Sequence, residues 1–266
     1  MKKHLCTFIL FALGILIIAL TSCKKEKEEK NGYLSMHFQH VVNGTPFIKD
    51  TMIYSNEVGN EYKISEIQYF ISEVTLYNSA GSQSLITESN GIHYVDTDIP
   101  ETQVWNIMEK IPTGLYDSLN FIFGIIESKN KSNLFTDPPE SNMFWPDLLG
   151  AGYHYMKFNG KWLALDQQVY PFNLHLGIGQ IYDTAGIITS FVQNYFKVSV
   201  PSSSFLINEN DTTAIYLDMN IDSWLKTPHT WDFNVMGGMI MQNEDAMQML
   251  CENGHDVFTF GPSLKP

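Results

Sequence analysis

The side chains of this sequence that point to chemistry are its histidines and methionines. Past the N-terminal region stand His37, His40, His93, His154, His175, His229 and His255, and Met236, Met239, Met241, Met247 and Met249 crowd one stretch near the C-terminus. Neutral imidazole and thioether are soft or borderline donors, the kind that suit copper(I). A lone histidine is more often structural than a ligand, and unevenly spaced methionines are more often core filler. Spacing must therefore choose among them. His37 and His40 are three apart in an alternating stretch, so strand parity sends them to opposite faces unless a bulge intervenes. His40 shares its face with Leu34, Met36 and Phe38. That apolar setting favours the neutral, metal-competent imidazole. His37 stands with Ser35 and Gln39, and His175 with Asn173, so the faces alone permit either to join a site. His93, His229 and His255 take the structural or solvated reading.

Signatures of catalysis are missing. The sequence has no Gly-x-Ser-x-Gly elbow, no phosphate loop, no His-Glu-x-x-His and no Cys-x-x-Cys. With 29 acidic residues, any glycosidase-type carboxylate pair would be arbitrary. A non-catalytic binding protein is the expectation, and an exported hydrolase has no motif behind it. The chain carries a net charge of −13 and no arginine. Nucleic-acid binding relies on clustered Lys and Arg against phosphate, so that class is excluded as a partner.

The first residues address the chain. Met1-Lys2-Lys3-His4 is a short basic start, Leu5 to Leu20 is almost unbroken apolar sequence, and Leu20-Thr21-Ser22-Cys23 follows. Residues 1–22 read as a secretory signal peptide that ends at a lipobox, with Cys23 as the lipidation site. The apolar run is shorter than the roughly 20 residues of a membrane span. Residues 23–31 mix Lys24, Lys25, Lys27 and Lys30 with Glu26, Glu28 and Glu29, too charged to bury apolar surface, and read as a flexible tether. The expected location is an outer-membrane lipoprotein, on the periplasmic side or at the cell surface. Cys6 leaves with the signal and Cys23 carries lipid, so Cys251 is alone and no disulfide staples the domain. Cys251 is read as a small buried hydrophobe.

The elements that position any site are strands. Alternating or apolar runs cover Leu34 to Val42, Ile64 to Leu76, Gly91 to Asp96, Asp117 to Ile125, Tyr153 to Phe158, Val169 to Leu176, Ile187 to Val192, Phe196 to Val200 and Ile215 to Met219. The clearest helix is Asn243 to Asn253, with Asn243 as its N-cap. Val104 to Lys110 and Asp222 to Lys226 could each form a turn or two. Residues 129–150 read as a long loop, a kind of segment that is often functional. Many short strands with turns between them predict an all-β fold, an antiparallel β-sandwich with a few short helices, over residues 32–266.

Several short motifs recur in one order. His40-Val-Val-Asn-Gly-Thr-Pro-Phe47 is followed by Ile64-Ser-Glu-Ile-Gln-Tyr-Phe-Ile-Ser72 and Val74-Thr-Leu76. Gly114-Leu-Tyr116, Phe121-Ile-Phe-Gly124, Asn142-Met-Phe-Trp145, Gly152-Tyr153 and His175-Leu-Gly177 come next. Asp245-Ala246 and Asn253-Gly-His-Asp-Val-Phe258 close the series. This order resembles the MbnP-like copper-binding proteins, many of them Bacteroidetes-type lipoproteins. The resemblance implies a β-rich extracytoplasmic protein that binds one copper, Cu(I) by its softness, through histidines and a tryptophan oxidised to kynurenine by a partner di-haem, peroxidase-like enzyme. Carried over, the ligand histidines are His40 and His175; His37 is a further candidate from its strand face alone. The tryptophan does not carry over, because Phe38-Gln39-His40 stands where relatives have Trp-x-His, and Trp145 is read as a packing residue. The expected function is copper capture or handling at the envelope. The alternative is a cell-surface β-sandwich module that binds glycan or protein.

Overall fold

A computed structural model describes residues 29–79, 81–200 and 202–262. The signal segment, Cys23 and most of the tether lie outside the described residues. Sixteen strands are defined among them, in chain order. β1 (Asn31–Val42), β2 (Thr45–Pro46), β3 (Tyr54–Ser55), β4 (Glu61–Asn78), β5 (Gln83–Leu85) and β6 (Ile92–Asp96) come first. β7 (Val104–Pro112), β8 (Gly114–Phe123), β9 (Met156–Leu163), β10 (Val169–Leu176) and β11 (Ile178–Tyr182) follow. The last are β12 (Ile188–Gln193), β13 (Phe196–Val200), β14 (Phe205–Ile207), β15 (Thr212–Asn220) and β16 (Phe258–Gly261). No helix among the described residues is long and apolar enough to cross a membrane.

The strands build the two sheets of an all-β sandwich. The first runs β16-β15-β1-β2, with β7 also paired to β1. The second runs β10-β9-β4-β8-β13, with β14 on β8 and β3, β5 and β6 on β4. β11 and β12 form a separate hairpin. Pairing is antiparallel except between β1 and β15, which run parallel from Tyr33↔Thr212 to Val41↔Asn220. The period-two pattern read from β1 holds. Leu34, Met36, Phe38 and His40 are buried between the sheets, and His37 and Gln39 are less so on the other side. β4 departs from alternation, with a register shift between Ile64 and Glu66 and another between Ser72 and Thr75. Between the shifts Ile67, Tyr69 and Ile71 face the first sheet. Tyr69 there meets Phe123 of its own sheet at 5.4 Å and Phe258 of the opposite one at 6.1 Å.

Phe70 points the other way, and this side of the second sheet is covered. The segment between β8 and β9 lies on it, with Phe135 stacked on Phe70 at 5.3 Å and Tyr153 edge-on to Phe135 at 5.0 Å. This is the long loop of the sequence, stiffened by 3-10 turns over Glu140–Met143 and Asp147–Leu149. The stretch Val104 to Lys110, read as a helical turn or two, is instead strand β7. Its Trp105 and Ile107 are buried while Asn106 and Met108 are exposed, so pairing with β1 overrides a weak helical pattern. The C-terminal helix spans Glu244–Asn253, and the Asn243 side chain caps it by accepting from Ala246 N at 3.2 Å.

Candidate metal centre

The three histidines expected to supply ligands lie on three different layers. His37 is on the outer face of the first sheet, its ring 4.7 Å from that of Tyr216 and its Nε2 3.1 Å from Ser35 Oγ. His40 lies between the sheets, its Nε2 3.2 Å from the Tyr69 hydroxyl. His175 is on the outer face of the second sheet. Register fixes this, because His175 stands opposite Lys157, and Lys157 opposite Gln68, the neighbour of Tyr69 along a regular stretch of β4. Successive residues of a strand point to opposite faces. Gln68, Lys157 and His175 therefore share the face that Tyr69 and His40 do not. The sequence-based pairing of His40 with His175 is corrected on this ground, since a sheet separates them. His40 therefore stays in the core, apart from His37 and His175. Its Nδ1 is buried without a hydrogen-bond partner, and burial pushes the ring's pKa down to about 4 against a polar contact with Gln103 and the Asp96 carboxylate.

The structure instead brings His175 together with His154. Their rings are edge to face, with centroids 5.2 Å apart and planes at 86°. His154 is buried. It sits at the end of the covering segment, where its backbone N–H donates to Met143 O at 2.6 Å and its ring Nδ1 lies 2.9 Å from the same carbonyl. A carbonyl oxygen only accepts, so Nδ1 carries the proton and Nε2 keeps its lone pair. His175 is the mirror case. Its Nε2 is 2.9 Å from Asn159 Oδ1. The amide orientation is fixed in turn by Glu66, whose Oε2 accepts from Asn159 Nδ2 at 3.1 Å. His175 thus donates from Nε2 and keeps its lone pair on Nδ1. One ring nitrogen anchored to an oxygen and the other left as a donor is the arrangement of metal-binding histidines. Burial pushes His154 down to about 3 and His175 down to about 4, with the Lys157 charge adding to both, so both rings are neutral at ordinary pH.

Trp145 completes the wall. It is fully buried, its ring centroid is 4.6 Å from that of His154, and its Nε1 donates to Leu149 O at 3.0 Å. Trp145 N donates to Gly152 O at 2.8 Å, so residues 143–145 and 152–154 run against one another and carry the tryptophan and histidine side by side. The glycine of His175-Leu-Gly177 has a packing reason. A β-carbon at position 177 would stand 2.5 Å from Trp145 ring atoms. Trp145, read from sequence as packing, does pack, and it does so against the histidine pair.

Charges surround the pair unevenly. Lys157, directly across the ladder from His175, donates from Nζ to Asn142 O at 2.6 Å. Beyond it Glu66, Asp96 and Asp98 bring carboxylate oxygens within 4.8 Å of one another. These already have partners: Asp98 pairs with Lys49 at 2.5 Å, and Asp96 accepts from Gln68 Nε2 and Tyr94 Oη. The C-terminal methionines do not gather at the pair. Met239 is held instead at Asn173, two residues before His175 in β10, its Sδ accepting from Asn173 Nδ2 at 3.3 Å. His154 had no role in the sequence reading. It lies in an irregular stretch just before β9, beyond the reach of strand parity, and the nearest cue was its adjacency to Gly152-Tyr153.

Two neutral imidazoles, each with one ring nitrogen engaged and the other able to offer a lone pair, stand beside a buried indole and suit a soft or borderline ion better than a hard one. Comparison with known proteins agrees with the fold. A family model described as MbnP matches residues 31–243. No curated protein matches. Among solved structures, MbnP from Methylosinus trichosporium is similar, with a TM-score of 0.51 and 16% sequence identity over 77% of this chain and 80% of that one. The family match runs from the first residue of β1 to the cap of the C-terminal helix, and this chain belongs to the MbnP family.

Proposed function

We propose that this chain is a lipid-anchored, extracytoplasmic protein that holds one Cu(I) between His154 Nε2 and His175 Nδ1 and serves in copper capture or handling without catalysis. The carrying observation is the edge-to-face pair whose N–H groups are both engaged elsewhere. Family membership supports copper as the ion. Two nitrogen donors match the low coordination number of Cu(I), and the buried wall of Trp145 keeps water from one side. Asn159 and Met143 hold the ligand rings and would not touch the metal.

Attachment at Cys23 would place this site at the outer membrane, and a di-haem, peroxidase-like partner would act on it there. Trp145 is then the indole such a partner would have to reach, since position 38 holds phenylalanine. Anchoring is tested by detergent partitioning of the full chain against Cys23→Ser, which should move to the aqueous phase.

The metal site is tested by Cu(I) competition against a chromogenic chelator. His154→Ala and His175→Ala should each weaken binding by on the order of 100-fold or more, the loss of one of two donors. His40→Ala and His37→Ala should leave affinity within about threefold, being on other layers. Tight stoichiometric binding by the His154→Ala/His175→Ala double variant would end this assignment.

A further inference from the structure

Lys157 ties the covering segment to the second sheet beside the histidine pair. It is the cross-strand neighbour of His175. Its Nζ reaches Asn142 O, one residue before the carbonyl that anchors His154. One ammonium is therefore tied beside both rings. We propose that Lys157 is a specificity-determining residue, whose fixed positive charge makes the histidine pair select monovalent Cu(I) over divalent Zn(II) and Cu(II). This rests on the copper assignment above and deepens it.

A positive charge held near a site repels a bound cation in proportion to the cation's charge. Whatever factor Lys157 removes from Cu(I) affinity, it removes that factor squared from a divalent ion. The ratio between them rises by one factor, and the two neutral imidazoles bring no anion to offset it. The carboxylates of Glu66, Asp96 and Asp98 do not cancel this field at the rings. Glu66 and Asp96 act on Lys157 itself, Glu66 meets His175 only through the Asn159 amide, and Asp98 is paired to Lys49. The Lys157 charge bears on both His154 and His175, and it acts against added positive charge on both. In a mainly acidic protein, which attracts cations of every kind, a local cation is the feature that would discriminate among them.

Wild type, Lys157→Gln, Lys157→Met and Lys157→Arg are compared by competition titrations with Cu(I) and Zn(II) and by the potential of the bound copper couple. Gln keeps a donor for Asn142 O, Met keeps length without charge, and Arg keeps charge. Both neutral variants should bind Cu(I) more tightly and Zn(II) more tightly still. The Cu(I)-over-Zn(II) ratio should fall by on the order of tenfold. The copper potential should fall by about 59 mV for each tenfold fall in the Cu(I)-over-Cu(II) affinity ratio. Arg should restore both values toward wild type. Cu(I) binding with an unchanged ratio and potential in a folded neutral variant would overturn the role of Lys157 while leaving the copper site standing. Failure of wild type to bind Cu(I) through His154 and His175 would overturn both.

Discussion

The imidazoles of His154 and His175 meet edge to face at 5.2 Å, and each is turned by an oxygen acceptor on its far side. The acceptors differ in kind. Met143 O is backbone and is fixed by the chain path. Asn159 Oδ1 is a side chain, and only the Glu66 carboxylate keeps its amide from flipping. The His175 half of the pair is therefore the adjustable half.

Replacing Asn159 by leucine should show this. The His175 ring would lose the acceptor that holds its proton on Nε2, and both tautomers would be populated. Loss of such a supporting partner typically weakens metal binding about 10–100-fold. Cu(I) titration should fall in that range, and 15N chemical shifts of the apo His175 ring should move from one tautomer toward a mixture. Unchanged shifts with unchanged affinity would show that Asn159 is only a packing residue.

Gly177→Ala tests the contact behind the His-x-Gly motif. The added methyl would stand 2.5 Å from the indole of Trp145, which has no room to retreat because it is fully buried. Overpacking of this kind costs about 1–3 kcal/mol. The melting temperature should drop, and copper binding should weaken as Trp145 presses on His154. Adding Trp145→Phe to the same chain should recover part of the loss, a coupling that two independent sites would not give.

Strand character was legible wherever burial alternates. Leu34, Met36, Phe38 and His40 announced one face of β1, and parity correctly set His37 on the other. Parity also correctly joined His175 with Asn173. What parity cannot supply is the layer that each face meets, since that depends on which strands pair. His40 faces the first sheet's partner across the core, whereas His175 faces the loop cover, and only the order β10-β9-β4 reveals it. His154 was illegible for a different reason. It belongs to an irregular segment held by scattered hydrogen bonds, such as those to Met143 O, and by ring packing, and such segments have no period. β7 was misread because Val104 to Lys110 has apolar residues compatible with either period, and its pairing with β1 decides.

Cys251 should behave as an inert thiol. Its Sγ donates to Asn194 O at 3.2 Å, and burial, with Glu244 and Glu252 nearby, pushes its pKa well above the ordinary thiol range. The thiolate is the reactive species. In the native chain carrying Cys23→Ser, an aromatic disulfide reagent should react with Cys251 more slowly than in the denatured chain by at least about 100-fold. Rapid stoichiometric labelling under native conditions would contradict this placement.

Acid should destabilise the protein through histidines that are outside the proposed copper site. Burial pushes His40 and His93 down to about 4 from the ordinary 6.5, although His93 Nε2 donates to Thr102 O at 2.8 Å. Between pH 6.5 and 4 the unfolded chain binds protons at these rings and the folded chain does not. Stability therefore falls as pH drops through that window and is unaffected by these groups above it. Each ring contributes up to about 3 kcal/mol of loss by pH 4. His93 lies between Phe38 and Trp105, stacked on them at 5.5 and 4.8 Å, so His93→Phe preserves the stack while removing the titration. Denaturant unfolding of the apo protein at pH 7.5, 5.5 and 4.5 should show wild type losing stability faster than His93→Phe. The variant should be the weaker at pH 7.5, where it leaves Thr102 O unpaired, and should gain on wild type at each acid step. Parallel pH profiles for the two proteins would mean that the buried ring is protonated in the folded state after all.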